Sequence, residues 1–124
     1  MIPLSISDLR GRKAVHLATH VHDNWVSSAG PFVTAFEKQI ATLAERGYAV
    51  ATVNGAAALH LALIGVGVRK GDHVVAPDWT FAALANAVHH AGAIPVFVDV
   101  DADSWTLDPV QLGRVFEIRD RGKI

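Results

Sequence analysis

The stretch that most constrains this chain is Tyr48-Ala-Val-Ala-Thr-Val-Asn-Gly-Ala-Ala-Ala-Leu-His-Leu-Ala-Leu63. Residues 48–53 are apolar and rich in Val and Thr, the composition of a buried strand. Asn54-Gly55 interrupts the run, and Ala56 to Leu63 then reads as a buried helix. A strand running straight into a helix is the repeating unit of α/β sheets. At such a junction the first helical N–H groups lack partners within the helix and point outward with the positive end of the dipole. Only Gly and Ala side chains stand in the way, so an anion can reach that backbone, and phosphate is the natural one. The same residues also make a tight strand-to-helix turn packed against its neighbours. Both readings stand at this point.

The rest of the chain follows the alternation. Residues 1–27 form a lead-in, extended to about residue 13 and then a short helix over Ala14–Asp23. Residues 28–117 form an α/β core. Pro31 suits a first helical position, and Phe32, Val33, Phe36, Ile40, Leu43 and Ala44 follow at three- and four-residue spacing, with Gly47 as the stop. After the junction at 54–56, Gly65, Gly67 and Gly71 punctuate a turn before a second strand, His73–Ala76. Thr80 or Asp78 caps a helix from Phe81 to His90, which Gly92 ends. Ile94–Val100 is a third strand, and Asp108-Pro109 opens a helix reaching about Glu117. Residues 118–124 are a charged tail. The expected fold is a doubly wound, mostly parallel α/β sheet with helices on both faces.

Composition excludes several classes. The net charge is −1 with no basic block, so nothing points to nucleic acid. The chain has no cysteine, hence no disulfide and no thiolate metal site, which fits the cytoplasm. Ala56–Val68, broken by His60, is too short to span a bilayer, and the N-terminus has no signal-peptide core. His16, His20 and His22 lack a carboxylate at zinc-hydrolase spacing and read as surface residues. His89 and His90 suit a helix C-terminus. Trp25 and Trp105 read as packing anchors. The glycines at 65, 67 and 71 follow a helix and do not have dinucleotide-loop spacing. At 124 residues, 51% apolar content is high for so little interior. That excess, and a three-strand parallel unit with an open edge, lead us to expect a larger body or an oligomer.

Several segments together resemble the N-terminal part of the DegT/DnrJ/EryC1/StrS sugar-nucleotide aminotransferases. They are Asn24-Trp-Val-Ser-Ser-Ala-Gly-Pro-Phe32, Phe36-Glu37, Val53-Asn-Gly-Ala-Ala-Ala-Leu-His-Leu-Ala-Leu63, Gly71-Asp72, Pro77-Asp-Trp-Thr-Phe81, Ala85-Asn-Ala87, Gly92-Ala93, Pro95-Val-Phe-Val-Asp99 and Leu107-Asp-Pro109. Order and spacing agree over roughly residues 20–115, and the wording at 24–30 leans toward the legionaminic-acid-type branch. The resemblance implies the N-terminal portion of a fold-type-I large domain, with pyridoxal 5'-phosphate as cofactor. Gly55, Ala56 and Ala57 would hold the cofactor phosphate through backbone N–H groups, and Phe81 would stack on the pyridine ring. The complete enzyme would use a nucleotide-linked keto sugar and an amino-acid donor, glutamate foremost, as a homodimer.

Two departures bear on activity. Position 56 is usually Thr in that family; Ala forgoes a hydroxyl bond to a charged acceptor, worth about 1.5–3 kcal/mol. None of the four lysines, Lys13, Lys38, Lys70 and Lys123, matches the family's Schiff-base lysine. Asp99 and Asp101 read as strand-end carboxylates, not as the partner of the pyridine nitrogen. The expectation is therefore a truncated aminotransferase, inactive as these 124 residues alone. The alternatives are a non-catalytic remnant that binds a full-length paralogue, or a small phosphate-binding α/β module.

Overall fold

The structure is a computed structural model that describes residues 6, 8 and 10–120, with side chains as far as Ile118. The chain forms two compact units, Met1–Ala51 and Thr52–Ile124.

In the first unit, helix α1 (Lys13–His22) forms where a short helix is expected. It closes on Asn24, at φ 58°: the Asn24 N–H reaches Val21 O at 3.2 Å and the Trp25 N–H reaches His20 O at 2.9 Å. Asn tolerates this left-handed position better than most residues because its short polar side chain can bond locally. The His20 ring lies 3.7 Å, centroid to centroid, from Phe32 on the next helix. That helix, α2 (Pro31–Leu43), begins with Pro31 in the first turn, where a missing N–H costs nothing. Gly30 precedes it at φ 139°, and a Cβ there would lie 2.8 Å from Cε3 of Trp25. Trp25 thus packs beneath the start of α2, as an anchor should.

The helix does not wait for Gly47. Glu45 takes the left-handed position at φ 52°, with its N–H on Thr42 O and the Arg46 N–H on Ala41 O. These paired bonds satisfy the last carbonyls, so the stop is made two residues early by a residue with a Cβ. The expected strand at 48–53 is also absent. A strand needs a neighbour to take its N–H and C=O groups, and among the described residues this segment has none. The Ala51 N–H is instead held by the Glu37 carboxylate at 2.8 Å.

In the second unit, α3 (Gly55–Gly65) starts on Asn54, whose side chain accepts the Ala57 N–H at 2.9 Å. It ends on Gly67 at φ 90°, the αL residue that lets the Val68 N–H turn back to Leu63 O. The expectation of a buried helix fails. No residue of α3 is buried, and Leu59, Leu61 and Ile64 are 40–50% exposed. A helix apolar on every side has no polar face to turn outward, so packing on one neighbour leaves apolar side chains uncovered.

Strands β1 (His73–Pro77) and β2 (Ile94–Val98) pair in parallel, His73 opposite Ile94 and Pro77 opposite Val98. Among the described residues the sheet has these two strands, not three. Between them lies α4 (Ala83–His90), which packs on both strands and on α3. It starts two residues later than expected, and neither Thr80 nor Asp78 caps it. Phe81 is therefore left in the loop. Gly92 ends the helix at φ 75°, as expected. Ala76, Ala87, Val88, Ala93 and Val98 form the buried core of this unit.

After β2 the chain makes a tight turn closed by a bridge between Val100 and Leu107. Asp101 organises it: Oδ1 accepts the N–H groups of Ser104 at 2.8 Å and Asp103 at 3.2 Å. Helix α5 (Pro109–Asp120) then begins under an Asp108 carboxylate that accepts the Val110 N–H at 2.7 Å. Val115 and Phe116 of α5 line a cavity of about 420 Å³ with Val75 and Val96 of the strands.

Gly30→Ala should destabilise the chain by about 1–3 kcal/mol, since it meets both the Trp25 ring and a disallowed φ. Urea unfolding followed by tryptophan fluorescence reads this, and an unchanged midpoint would contradict the packing. The Ser104 backbone N–H holds the Asp101 carboxyl below its ordinary range. The turn's stabilisation is thus fully present above that range and lost as pH falls through the lowered value. Carbon-13 titration of the Asp101 carboxyl should give a midpoint below the ordinary 3.8.

Candidate functional site

A parallel pair gives the unit a direction. Pro77 and Val98 mark its carboxyl end, and the segments 78–82 and 99–108 leave from there. The loops at the amino end are tied together by the Gly71 N–H on Gly92 O at 2.9 Å, and the Ile94 N–H meets Asp72 O at 2.8 Å. Those loops follow the last turns of α3 and α4; α4 packs on both strands, and α3 packs on α4. Eleven residues of α3 rise about 16 Å, close to the span of a five-residue strand at about 3.3 Å per residue. A helix of that length, packed on α4, can carry its first turn back toward the carboxyl end, the region where open α/β sheets bind ligands.

Four N–H groups open that helix. Ala58 donates to Asn54 O at 3.1 Å and Ala57 to Asn54 Oδ1 at 2.9 Å. Those of Gly55 and Ala56 have no protein acceptor among the described residues. A Cβ built at Gly55 would meet nothing within 4 Å, so the approach to this backbone is open. Of the three residues singled out for phosphate, Gly55 and Ala56 thus present free donors, while Ala57 is already engaged. Asn54 was legible as a break but not as a cap, although Asn before a helix is among the strongest capping signals.

Phe81 lies in the loop between β1 and α4 and is 83% exposed, its ring free to lie against a flat ligand. Nearby in sequence, the Trp79 indole sits 6.0 Å from that of Trp105, at 57°. Trp105 is held at φ 57° by the Asp101 turn, its N–H on Asp101 O at 2.9 Å. As an anchor it packs on Trp79 and remains 64% exposed.

Two open N–H donors at a positive dipole end and an exposed aromatic face fit a phosphorylated planar ring such as pyridoxal 5'-phosphate. Groups for the covalent chemistry are not in this set. Lys70, the lysine of the second unit among the described residues, lies in the turn at the amino end of the strands, with its Cβ 3.3 Å from where a Gly92 side chain would begin. Lys13 and Lys38 belong to the first unit, and Lys123 lies outside the described residues. Asp99 Oδ1 accepts the Val100 N–H at 2.7 Å, and Asp101 is committed to its turn, so both serve the loop after β2.

The chain is similar to known proteins. The sequence profile of the DegT/DnrJ/EryC1/StrS aminotransferase family matches residues 8–122. The GDP-perosamine synthase of Caulobacter vibrioides is 38% identical over 111 residues, 90% of this chain and 30% of that protein. The aminotransferase of Psychrobacter cryohalolentis superposes with a TM-score of 0.78 at 31% identity, over 90% of this chain and 29% of its own. NtdA of Bacillus subtilis, solved with pyridoxamine phosphate bound, superposes with a TM-score of 0.72 at 30% identity, covering 81% of this chain and 23% of its own. The chain thus spans about 30% of the length of the curated relatives it matches. Its parallel strands and flanking helices are part of the fold-type-I architecture of those enzymes. The chain belongs to the DegT/DnrJ/EryC1/StrS aminotransferase family, whose cofactor is pyridoxal 5'-phosphate.

Proposed function

We propose that residues 1–124 are part of the large, cofactor-binding domain of an aminotransferase that transfers an amino group, with glutamate as donor, to a keto sugar on a nucleotide carrier. The observation that carries this reading is the open first turn of α3, where Gly55 and Ala56 offer two backbone donors with no protein acceptor among the described residues. Family membership supports the reaction class, and relatives that make GDP-linked amino sugars support the substrate class. Gly55 and Ala56 hold the phosphate, and Phe81 keeps the ring in plane. Bound there, the cofactor supplies the electron sink on which amino groups are exchanged. The catalytic lysine and the carboxylate for the ring nitrogen are not contributed by these residues, so the 124-residue chain by itself does not transaminate. The uncovered Leu59, Leu61 and Ile64 of α3 support assembly into a homodimer. The same reading puts the enzyme in the cytoplasm.

The test is a titration of the nitrogen-15-labelled chain with pyridoxamine 5'-phosphate, whose amine forms no covalent link to lysine. Saturable shifts at the Gly55 and Ala56 amides are expected, and their absence would overturn the reading. Ala56→Thr restores a hydroxyl donor and should tighten binding by about tenfold, the equivalent of one bond to a charged acceptor. Phe81→Ala should weaken it by about two- to tenfold. Mixed with pyridoxal 5'-phosphate and glutamate, the 124-residue chain should give no spectral conversion to the amine form; turnover would refute the assignment of the lysine elsewhere.

A further inference from the structure

We infer that Trp79 and Trp105 form a corner that receives the pyranose ring of the sugar substrate, while the charged nucleotide end of that substrate is held outside their two loops. The inference rests on the proposed reaction with a nucleotide-linked keto sugar. The two indoles come from different loops at the carboxyl end of the sheet, one after β1 and the other after β2. Their ring centroids lie 6.0 Å apart, with the planes inclined at 57°. Both remain largely open to water, Trp79 at 69% and Trp105 at 64% exposure. Trp105 also holds a costly backbone position, because a bulky side chain at φ 57° is sterically disfavoured. The loop is built to keep it there. The Trp105 N–H is on Asp101 O at 2.9 Å, the Asp101 N–H is on Thr106 O at 2.8 Å, and the Ser104 and Thr106 hydroxyls meet at 2.9 Å. Strain imposed by the surroundings, with no burial of the side chain to offset it, marks a position kept for what the side chain does.

Shape and charge select the ligand. Two planes inclined at 57° leave no parallel slot for a flat base. A pyranose chair carries C–H bonds on its face and its rim, so it can lie on one indole and abut the other, its C–H groups against the negative faces of the rings. Every charged residue in segments 78–82 and 99–108 is an aspartate: Asp78, Asp99, Asp101, Asp103 and Asp108. Asp99, Asp101 and Asp108 accept nearby backbone N–H groups. Asp78 precedes Trp79, Asp103 lies two residues before Trp105, and both are exposed, with no partner for their carboxylates among the described residues. Carboxylates accept hydroxyl hydrogens and repel phosphate. The corner therefore suits the uncharged, hydroxyl-bearing end of a nucleotide sugar and turns its diphosphate away.

The experiment titrates the nitrogen-15-labelled 124-residue chain with methyl α-D-glucopyranoside, a neutral hexoside, and separately with guanosine 5'-monophosphate, a base with a phosphate. The readout is the indole N–H signals of Trp79 and Trp105, with Trp25 of the other unit as an internal control. Saturable millimolar shifts at Trp79 and Trp105 are expected with the glucoside, together with magnetisation transfer from the indole protons to the pyranose ring. Trp105→Ala, which keeps a Cβ at the same left-handed position, should weaken glucoside binding by about fivefold or more, and Trp105→Phe should stay within about threefold of the parent. Trp79→Ala, in the other loop, gives an independent loss of similar size should the first variant disturb the Asp101 turn. No saturable shift with the glucoside, or tighter binding of the nucleotide than of the glucoside at these indoles, overturns the inference. Either result leaves the cofactor reading standing if pyridoxamine 5'-phosphate still shifts the Gly55 and Ala56 amides. Glucoside binding at the indoles without those amide shifts upholds the sugar corner and overturns the cofactor reading alone.

Discussion

Parallel pairing of β1 with β2 is the constraint on which the second unit depends. Two parallel strands cannot be joined by a tight turn, so the chain must travel back the length of the sheet before the next strand begins. Here α4 makes that return, from the end of β1 to the start of β2. It begins at the carboxyl end and finishes at the amino end. As a result the amino-end loops become structural, clamped by the Gly71–Gly92 and Asp72–Ile94 bonds, while the carboxyl-end segments are left free to differ. The exposed Phe81 and the Asp101 turn lie at the free end for that topological reason.

What could be read directly were features that one residue settles locally. Pro31 opens α2, Gly92 closes α4, and the small residues after Asn54 begin α3, because each is decided by backbone sterics within a turn. What could not be read depends on partners. Residues 48–53 have strand composition, but strand formation is a two-body event and the pairing edge is missing among the described residues. The Glu37 carboxylate takes an N–H that a ladder would otherwise use. Burial of α3 failed for the same reason: apolarity on all sides says that a helix needs cover, not that the cover is present. Glu45 is a different kind of miss. Gly is the expected αL residue, but the paired bonds at the end of α2 are strong enough to hold Glu there.

The candidate site was legible by type and not by count. Small residues at a strand-to-helix junction announce accessible N–H groups, but how many remain free depends on what the preceding residue does with its side chain. Asn54 takes one, and only atomic geometry shows it. Phe81 gained its exposed position because α4 begins at Ala83, two residues later than its sequence pattern implies. Helix starts without a capping side chain are set by packing, and α4 has none.

These donors define what this part of the protein can contribute. A helix N-terminus attracts an anion without moving a proton: its N–H groups are not acids in the working pH range, and neither is a phenyl ring. Two backbone donors and an aromatic face can therefore place a phosphorylated ring and keep it flat, while the proton transfers of amino-group exchange need an amine of tuned basicity. Lys70, the lysine of this unit among the described residues, is held in the turn at the amino end of the strands. On the proposed reading, holding the phosphorylated ring falls to these residues and proton transfer to an amine from outside them.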